Sequence, residues 1–189
     1  MDNRRSRIFD RGETESGAFQ AILAIFMKPM ANEFGWSRAA ISGSISFGSL
    51  GGAIIAPFIG SILDRDGPRL TAFWGIFILS LGLIGMTFIH QIWQLYIFFS
   101  TGRMIVMGIL LLFIPISVSK WFVSKRGRAM GIVWLGPFFG TAILPIGVQV
   151  FILSLGWRTV WSLLGIMVFL LSGIPVLLFL RKSPEDMGL

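Results

Sequence analysis

The sequence predicts an all-α membrane protein with six transmembrane helices, the first of them short. Three observations predict it. Of the 189 residues, 54% are hydrophobic and 13% charged, with a mean hydropathy of +0.81, the composition of a polytopic membrane protein. Long uncharged runs recur: Ala39–Leu63 spans 25 residues and Leu70–Ile89 spans 20. Each can cross a hydrocarbon core of roughly 30 Å at about 1.5 Å per residue. The bases gather on one side of the expected spans. Arg4, Arg5, Arg7, Arg11, Arg65, Arg69, Lys120, Lys125, Arg126, Arg128, Arg181 and Lys182 lie on that side, and Lys28, Arg38 and Arg158 on the other. The positive-inside rule then puts both termini in the cytoplasm.

Residues 1–16 are polar and read as a cytoplasmic tail. No small-residue cleavage site follows the next apolar stretch, so they do not read as a secretory signal. Gly17–Met30 is the expected first span. Its uninterrupted apolar part, Ala21–Met27, is short, and the whole covers only about 21 Å as a helix. That is less than a full crossing, and the span reads as truncated at its start. Ala31–Arg38 is a loop, with Ser37 as the N-cap of the next helix and Trp36 as a headgroup-level anchor.

Ala39–Leu63 is the second span. Gly48, Gly52, Ala56 and Gly60 recur every four residues, a stripe of small residues that admits another helix at close range. A sliding surface and static close packing both fit it. Pro57 is expected to kink this helix. Gly67-Pro68 is a turn signal. Leu70–Ile89 is the third span, His90-Gln91 a short turn, and Ile92–Ser117 the fourth span, with Pro115 near its end. A basic loop over 119–128 carries Trp121-Phe122 at the interface. Ala129–Leu155 is the fifth span, expected to be broken at Gly136-Pro137 and at Pro145. Gly156-Trp157-Arg158 is a turn, Thr159–Leu180 the sixth span, and 181–189 a cytoplasmic tail. Gly35-Trp36-Ser37-Arg38 and Gly156-Trp157-Arg158 are alike and both fall on the outer side. An inverted three-helix repeat and the common use of interfacial Trp both account for this.

Arg103 is the strongest functional signal. It lies 11 residues into the fourth span, roughly 16 Å deep by helix rise. An Arg at that depth costs a few kcal/mol to insert and marks a functional position by default. Its guanidinium can grip a carboxylate or phosphate with two parallel hydrogen bonds. No Asp or Glu lies within any expected span, which favours an anionic ligand or a partner from elsewhere; a structural Arg held by backbone carbonyls or by a neighbouring helix is the other reading. Gln20, Trp134 and Gln149 are further candidates for lining a substrate path, or for interhelical packing. The chain has one His and no Cys, and no acid/base pair, nucleophile, metal cluster or nucleotide-binding G-x-x-x-x-G-K-[ST] motif is visible. An enzyme, a metal site and a bound cofactor are therefore not expected. The net charge of +7 is distributed as a topology signal, so no nucleic-acid partner is read from it.

Gly60, Asp64, Arg65, Gly67 and Arg69 stand as G-x-x-x-D-R-x-G-x-R between the second and third spans. This resembles the signature loop of the major facilitator superfamily. The resemblance implies half of a twelve-helix fold, a substrate site at the midplane between two bundles, and alternating access. It also implies a gating role for the loop, with Asp64 latching onto the second half and Arg65 and Arg69 in the same charge network. Arg103 with Gly108 resembles the family's R-x-x-x-x-G pattern. Gly136-Pro137-Phe138-Phe139-Gly140 partly resembles the G-P-x-x-G motif of its antiporters, with Thr141 where a further Gly would stand. The stretches Phe26–Met30 and Glu33–Arg38, Trp121-Phe122 with Arg126-Gly127 and Ala129, Gly156-Trp157-Arg158, and Pro184–Gly188 are similar to bacterial carriers of the monocarboxylate and oxalate/formate group.

The resulting expectation is a multi-pass protein of the cell membrane, by resemblance a bacterial cytoplasmic membrane, that transports small organic anions. Its partners would be the lipid bilayer, the anion, a coupling ion or counter-solute, and a missing C-terminal half or a second copy. The competing expectation is a truncated, non-transporting membrane fragment or an interaction partner that needs a separate C-terminal half.

Overall fold

The computed structural model of the chain describes residues 17–110 and 126–179. The expected tails, the end of the fourth span with Pro115, and the loop residues Lys120, Trp121, Phe122 and Lys125 lie outside the described residues. The elements are α1 (Gly17–Phe34), α2 (Arg38–Asp66) and α3 (Pro68–Gly85), the last extended by a 3-10 turn at Met86–Phe88. Then come α4 (Ile92–Ile105), continued by a π-turn at Val106–Leu110, α5 (Arg126–Leu155) and α6 (Trp157–Val168). A π-turn at Phe169–Gly173 joins α6 to α7 (Ile174–Phe179), and these three pieces form the last pass.

The all-α expectation holds. Five stretches among the described residues are long and apolar enough to cross a membrane: Arg38–Leu63, Arg69–Phe88, Ile92–Ile109, Gly127–Leu155 and Trp157–Leu178. The first helix is more polar, because Gln20, Lys28, Asn32 and Glu33 interrupt it. It is longer than the sequence implied. The helix passes through Pro29 and ends at Phe34, where the expected span ended at Met30. Gly35 then closes it with φ +69 and a backbone hydrogen bond to Ala31 O at 2.9 Å. Ser37 caps α2 as expected, its hydroxyl accepting from Ala40 N at 3.1 Å.

The expected break in the fifth span is absent. α5 is one helix of 30 residues with Pro137 and Pro145 inside it, and α2 likewise runs through Pro57. Proline is tolerated in spanning helices because neighbouring groups and small local adjustments satisfy the freed carbonyls.

The helices pack in pairs: α2 on α4, α1 on α5, and α3 on both α6 and α4. Exchanging the first three passes with the last three turns the α2–α4 pair into the α5–α1 pair and leaves α3–α6 unchanged. The connections obey the same exchange. A single glycine joins α2 to α3 (Gly67, φ 85, ψ 162) and α5 to α6 (Gly156, φ 80, ψ 153). Both sit in a backbone region open essentially to glycine alone. The exchange is only partial, because the α3–α4 pairing has no counterpart of similar extent between α6 and α1. It does not relate Gly35-Trp36 to Gly156-Trp157; those two turns are neighbours in space.

The core lies where the pairs meet. Leu23, Phe26 and Met30 form one stripe of α1 at helical spacing, and all three are fully buried. Phe26 stacks on Trp161 of α6 at 4.1 Å. Small residues and hydroxyls set the approach of α3 to α6: Ser80 Oγ donates to Gly165 O at 2.6 Å. A Cβ at Gly165 would stand 2.9 Å from Ser80 O.

Candidate functional site

Arg103 is 2% exposed, enclosed at the seam between α2 and α4. The seam is built from small residues and hydroxyls in four-residue steps along α2. Ala40 O accepts from the Tyr96 hydroxyl at 2.9 Å, and Ser44 O accepts from Ser100 Oγ at 3.0 Å. At the next step Gly48 meets Arg103 itself. A Cβ at Gly48 would fall 2.6 Å from Arg103 Cβ and 2.9 Å from its Cγ. One step further, a Cβ at Gly52 would fall 2.8 Å from Met107 Cβ. The arginine stem therefore lies directly on bare α2 backbone. Its Nε donates to Ser49 Oγ at 3.2 Å. A cavity of about 320 Å³ lies beside the same seam, lined by Phe47, Tyr96, Ile97, Ser100, Thr101 and Met104.

The small-residue stripe is thus partly reassigned. Gly48 and Gly52 pack directly against α4, whereas Gly60 meets nothing within 4 Å. The contact begins a full two steps earlier than expected, at Ala40 and Ser44, because a backbone carbonyl paired with a hydroxyl serves close approach as well as a glycine does.

The expected charged turn is mostly helical: Gly60, Asp64 and Arg65 lie in α2, which runs to Asp66, and Arg69 lies in α3, so Gly67 alone links the two helices and Pro68 opens α3. Thr71 Oγ1 donates back to Gly67 O at 3.0 Å. Arg69 turns inward along its own bundle, where its Nη2 donates to Leu177 O in α7. Arg65 is exposed, and the side chains of Asp64 and Gln20 lie outside the described ones.

Trp134 is half-buried and Gln149 exposed, both on α5. α5 pairs with α1, whereas Arg103 belongs to the α2–α4 pair. Among the described residues no group of three or more His, Cys, Asp or Glu could hold a metal ion.

A second polar constellation was not anticipated. Glu33, at the end of α1 beyond its apolar part, accepts from Trp157 Nε1 at 2.7 Å and forms a salt bridge with Arg158. Arg158 also donates to Ile89 O at 3.2 Å. Its guanidinium stacks over Trp157 at 4.4 Å and faces Phe34 at 5.4 Å, and Phe34 stacks on Trp36 at 4.3 Å. The hydrogen bond from Arg158 is the main reason that the Glu33 carboxyl is held below the usual glutamate range. Burial opposes this, and the Trp157 N–H reinforces it. The sequence did carry a signal: Glu33 and Arg158 are opposite charges just outside spans on the same side.

Long apolar helices packed in pairs, with a guanidinium enclosed in one of them, define a multi-pass membrane protein. The chain belongs to the major facilitator superfamily, whose family profile matches residues 16–189. It is 32% identical over 155 residues to monocarboxylate transporter 4 of Rattus norvegicus, covering 79% of this chain and 32% of that protein. It is 31% identical over 134 residues to the fujikurins efflux protein of Gibberella fujikuroi, covering 70% and 28%. With monocarboxylate transporter 14 of Homo sapiens it shares 27% over 174 residues, covering 89% and 34%. The chain spans about a third of the length of these relatives.

Proposed function

We propose that this chain is the N-terminal six-helix half of a secondary transporter for small organic anions of the monocarboxylate kind, with Arg103 as the anion anchor. The observation that carries the reading is the burial of Arg103 to 2% exposure within a membrane-spanning helix. Keeping a guanidinium there is expensive, and such positions serve substrate or ion paths. The similarity to two monocarboxylate transporters supports the same substrate class.

Transport would proceed by alternating access, this half rocking against a second half or a second copy around a site at the midplane. α2 and α5 are the spans least covered within the bundle, so they offer the surface for that contact. Gln20, Trp134 and Gln149 would line the path. Gly60, Asp64, Arg65, Gly67 and Arg69 would form the cytoplasmic gate, and a coupling ion or counter-solute would drive the cycle. Both termini would face the cytoplasm.

The test is uptake of labelled formate, acetate, propionate and benzoate into proteoliposomes holding the full chain, with Arg103→Ala in parallel. Saturable uptake lost in the variant supports the reading. Folded wild-type protein without uptake leaves a half that moves nothing on its own and sinks autonomous transport.

A further inference from the structure

We infer that Gly48 and Ser49 of α2 are positioning residues for Arg103, fixing the direction in which its guanidinium meets a carboxylate. The proposal deepens the functional reading above and rests on it. Two contacts carry it. The Arg103 Cβ and Cγ occupy the space that a Cβ at Gly48 would take, at 2.6 and 2.9 Å, so the stem has no freedom to lean toward α2. Its Nε donates to Ser49 Oγ at 3.2 Å, and one fixed hydrogen bond on a planar guanidinium sets the plane of the whole group.

The helix backbone supports the same register. Residues five apart on an α-helix point about 140° away from each other. The π-turn at Val106–Leu110 changes that spacing after Arg103. Gly108, five residues on, returns to the α2 side, where a Cβ would stand 3.2 Å from Ile55 Cγ1 and 3.5 Å from Gly52 O. Arg103 and Gly108 therefore both seat α4 on α2, one on each side of the change in helical pitch. This gives the spacing R-x-x-x-x-G a mechanical meaning: two contact points on one face that a regular helix would place on different faces.

The test measures KM and maximal uptake of labelled propionate and benzoate by the full chain in proteoliposomes, together with its thermal unfolding. The variants are Ser49→Ala, Ser49→Thr, Gly48→Ala and Arg103→Lys. Ser49→Ala should raise KM about ten-fold, the loss expected for one hydrogen bond to a charged group, with maximal uptake within about two-fold of wild type. Ser49→Thr, which keeps the hydroxyl, should restore KM. Gly48→Ala should raise KM beyond Ser49→Ala, because it displaces the stem as well. A merely structural role would instead lower the unfolding temperature and maximal uptake and leave KM in place, and that outcome overturns the proposal. If Arg103→Ala, run in parallel, matches wild type, Arg103 is not the anchor and the functional reading itself fails; if Arg103→Lys matches wild type, no fixed guanidinium direction is needed and the positioning proposal falls. If Arg103→Lys loses uptake while Ser49→Ala keeps its KM, the functional reading stands and the positioning proposal alone falls. Absence of saturable uptake by the folded wild type sinks autonomous transport and, with it, the positioning role of Gly48 and Ser49 in this chain.

Discussion

Glu33 at the end of α1 and Arg158 at the start of α6 are joined by a salt bridge, and Trp157 Nε1 donates to the same carboxylate at 2.7 Å. Because Arg158 also holds Ile89 O, the pair ties the ends of three passes together. The link lies where the α1–α2 and α5–α6 turns meet, so it braces the bundle at the end opposite the Gly67 turn.

The folded Glu33 has its pKa lowered, chiefly by Arg158. The sign follows from linkage: its contribution to stability is fully present above the unfolded glutamate value of about 4.3. It is lost as pH falls below that value through the lowered folded pKa. The pair is partly exposed, so the effect is small at high salt. Thermal unfolding of wild type and Glu33→Gln in the same detergent, from pH 7 to pH 3, should show a gap that closes toward the acid end. Other titrations cancel in the difference. A gap constant across this window would refute the assignment.

Gly67 and Gly156 hold the two tight inter-helix links at φ 85 and φ 80. Neither conformation suits a side chain, although a Cβ at Gly156 would meet nothing within 4 Å. Strain therefore acts through the backbone alone. Gly67→Ala and Gly156→Ala should each lose about 1–3 kcal/mol of stability, measured by unfolding in mixed micelles. Equal stability of Gly156→Ala and wild type would show that the link relaxes to another turn.

These links mark what the sequence could reveal. Gly67-Pro68 and Ser37 act through local chemistry, a turn and a cap, and each stands where the chain implied. The unbroken α5 was hidden because a proline in water disrupts a helix, whereas in a spanning bundle its free carbonyl is satisfied by surroundings that no single stretch of sequence contains. The extra turn of α1 was hidden because Asn32 and Glu33 look like loop residues until Trp157 and Arg158 arrive from a distance of more than a hundred positions. Arg103 was legible because charge in an apolar run needs no tertiary context. Its partners on α2 were not, since the pairing of Ser49 with Arg103 depends on how α2 lies on α4.

Two glycines in spanning helices should respond in opposite senses. At Gly165 a Cβ would meet Ile84 Cγ1 at 2.7 Å and Ser80 O at 2.9 Å, and the Ser80 hydrogen bond to Gly165 O fixes that approach. Gly165→Ala should lose about 1–3 kcal/mol by forcing α3 and α6 apart. Gly60 has open space and lies inside α2, so Gly60→Ala should gain about 0.4–1 kcal/mol by restricting the unfolded chain. Unfolding curves of the two variants decide this. Destabilisation by Gly60→Ala would mean that another chain covers that face.

Trp161 is 1% exposed and stacks on Phe26, yet its Nε1 has no hydrogen-bond partner among the described residues. Trp157, four residues earlier on α6, gives its Nε1 hydrogen to Glu33. The same substitution should therefore act differently at the two sites. Trp161→Phe leaves a void that costs about 1 kcal/mol, but it removes a buried, unsatisfied donor whose burden is about 1–3 kcal/mol. The net change should lie near zero or favour the variant. Trp157→Phe loses a hydrogen bond to a charged group, about 1.5–3 kcal/mol, and the ring over which Arg158 stacks. Unfolding of both variants in one detergent gives the comparison directly. A larger loss at Trp161 than at Trp157 would mean that the Trp161 N–H is bonded after all, to a buried water or to a group outside the described residues.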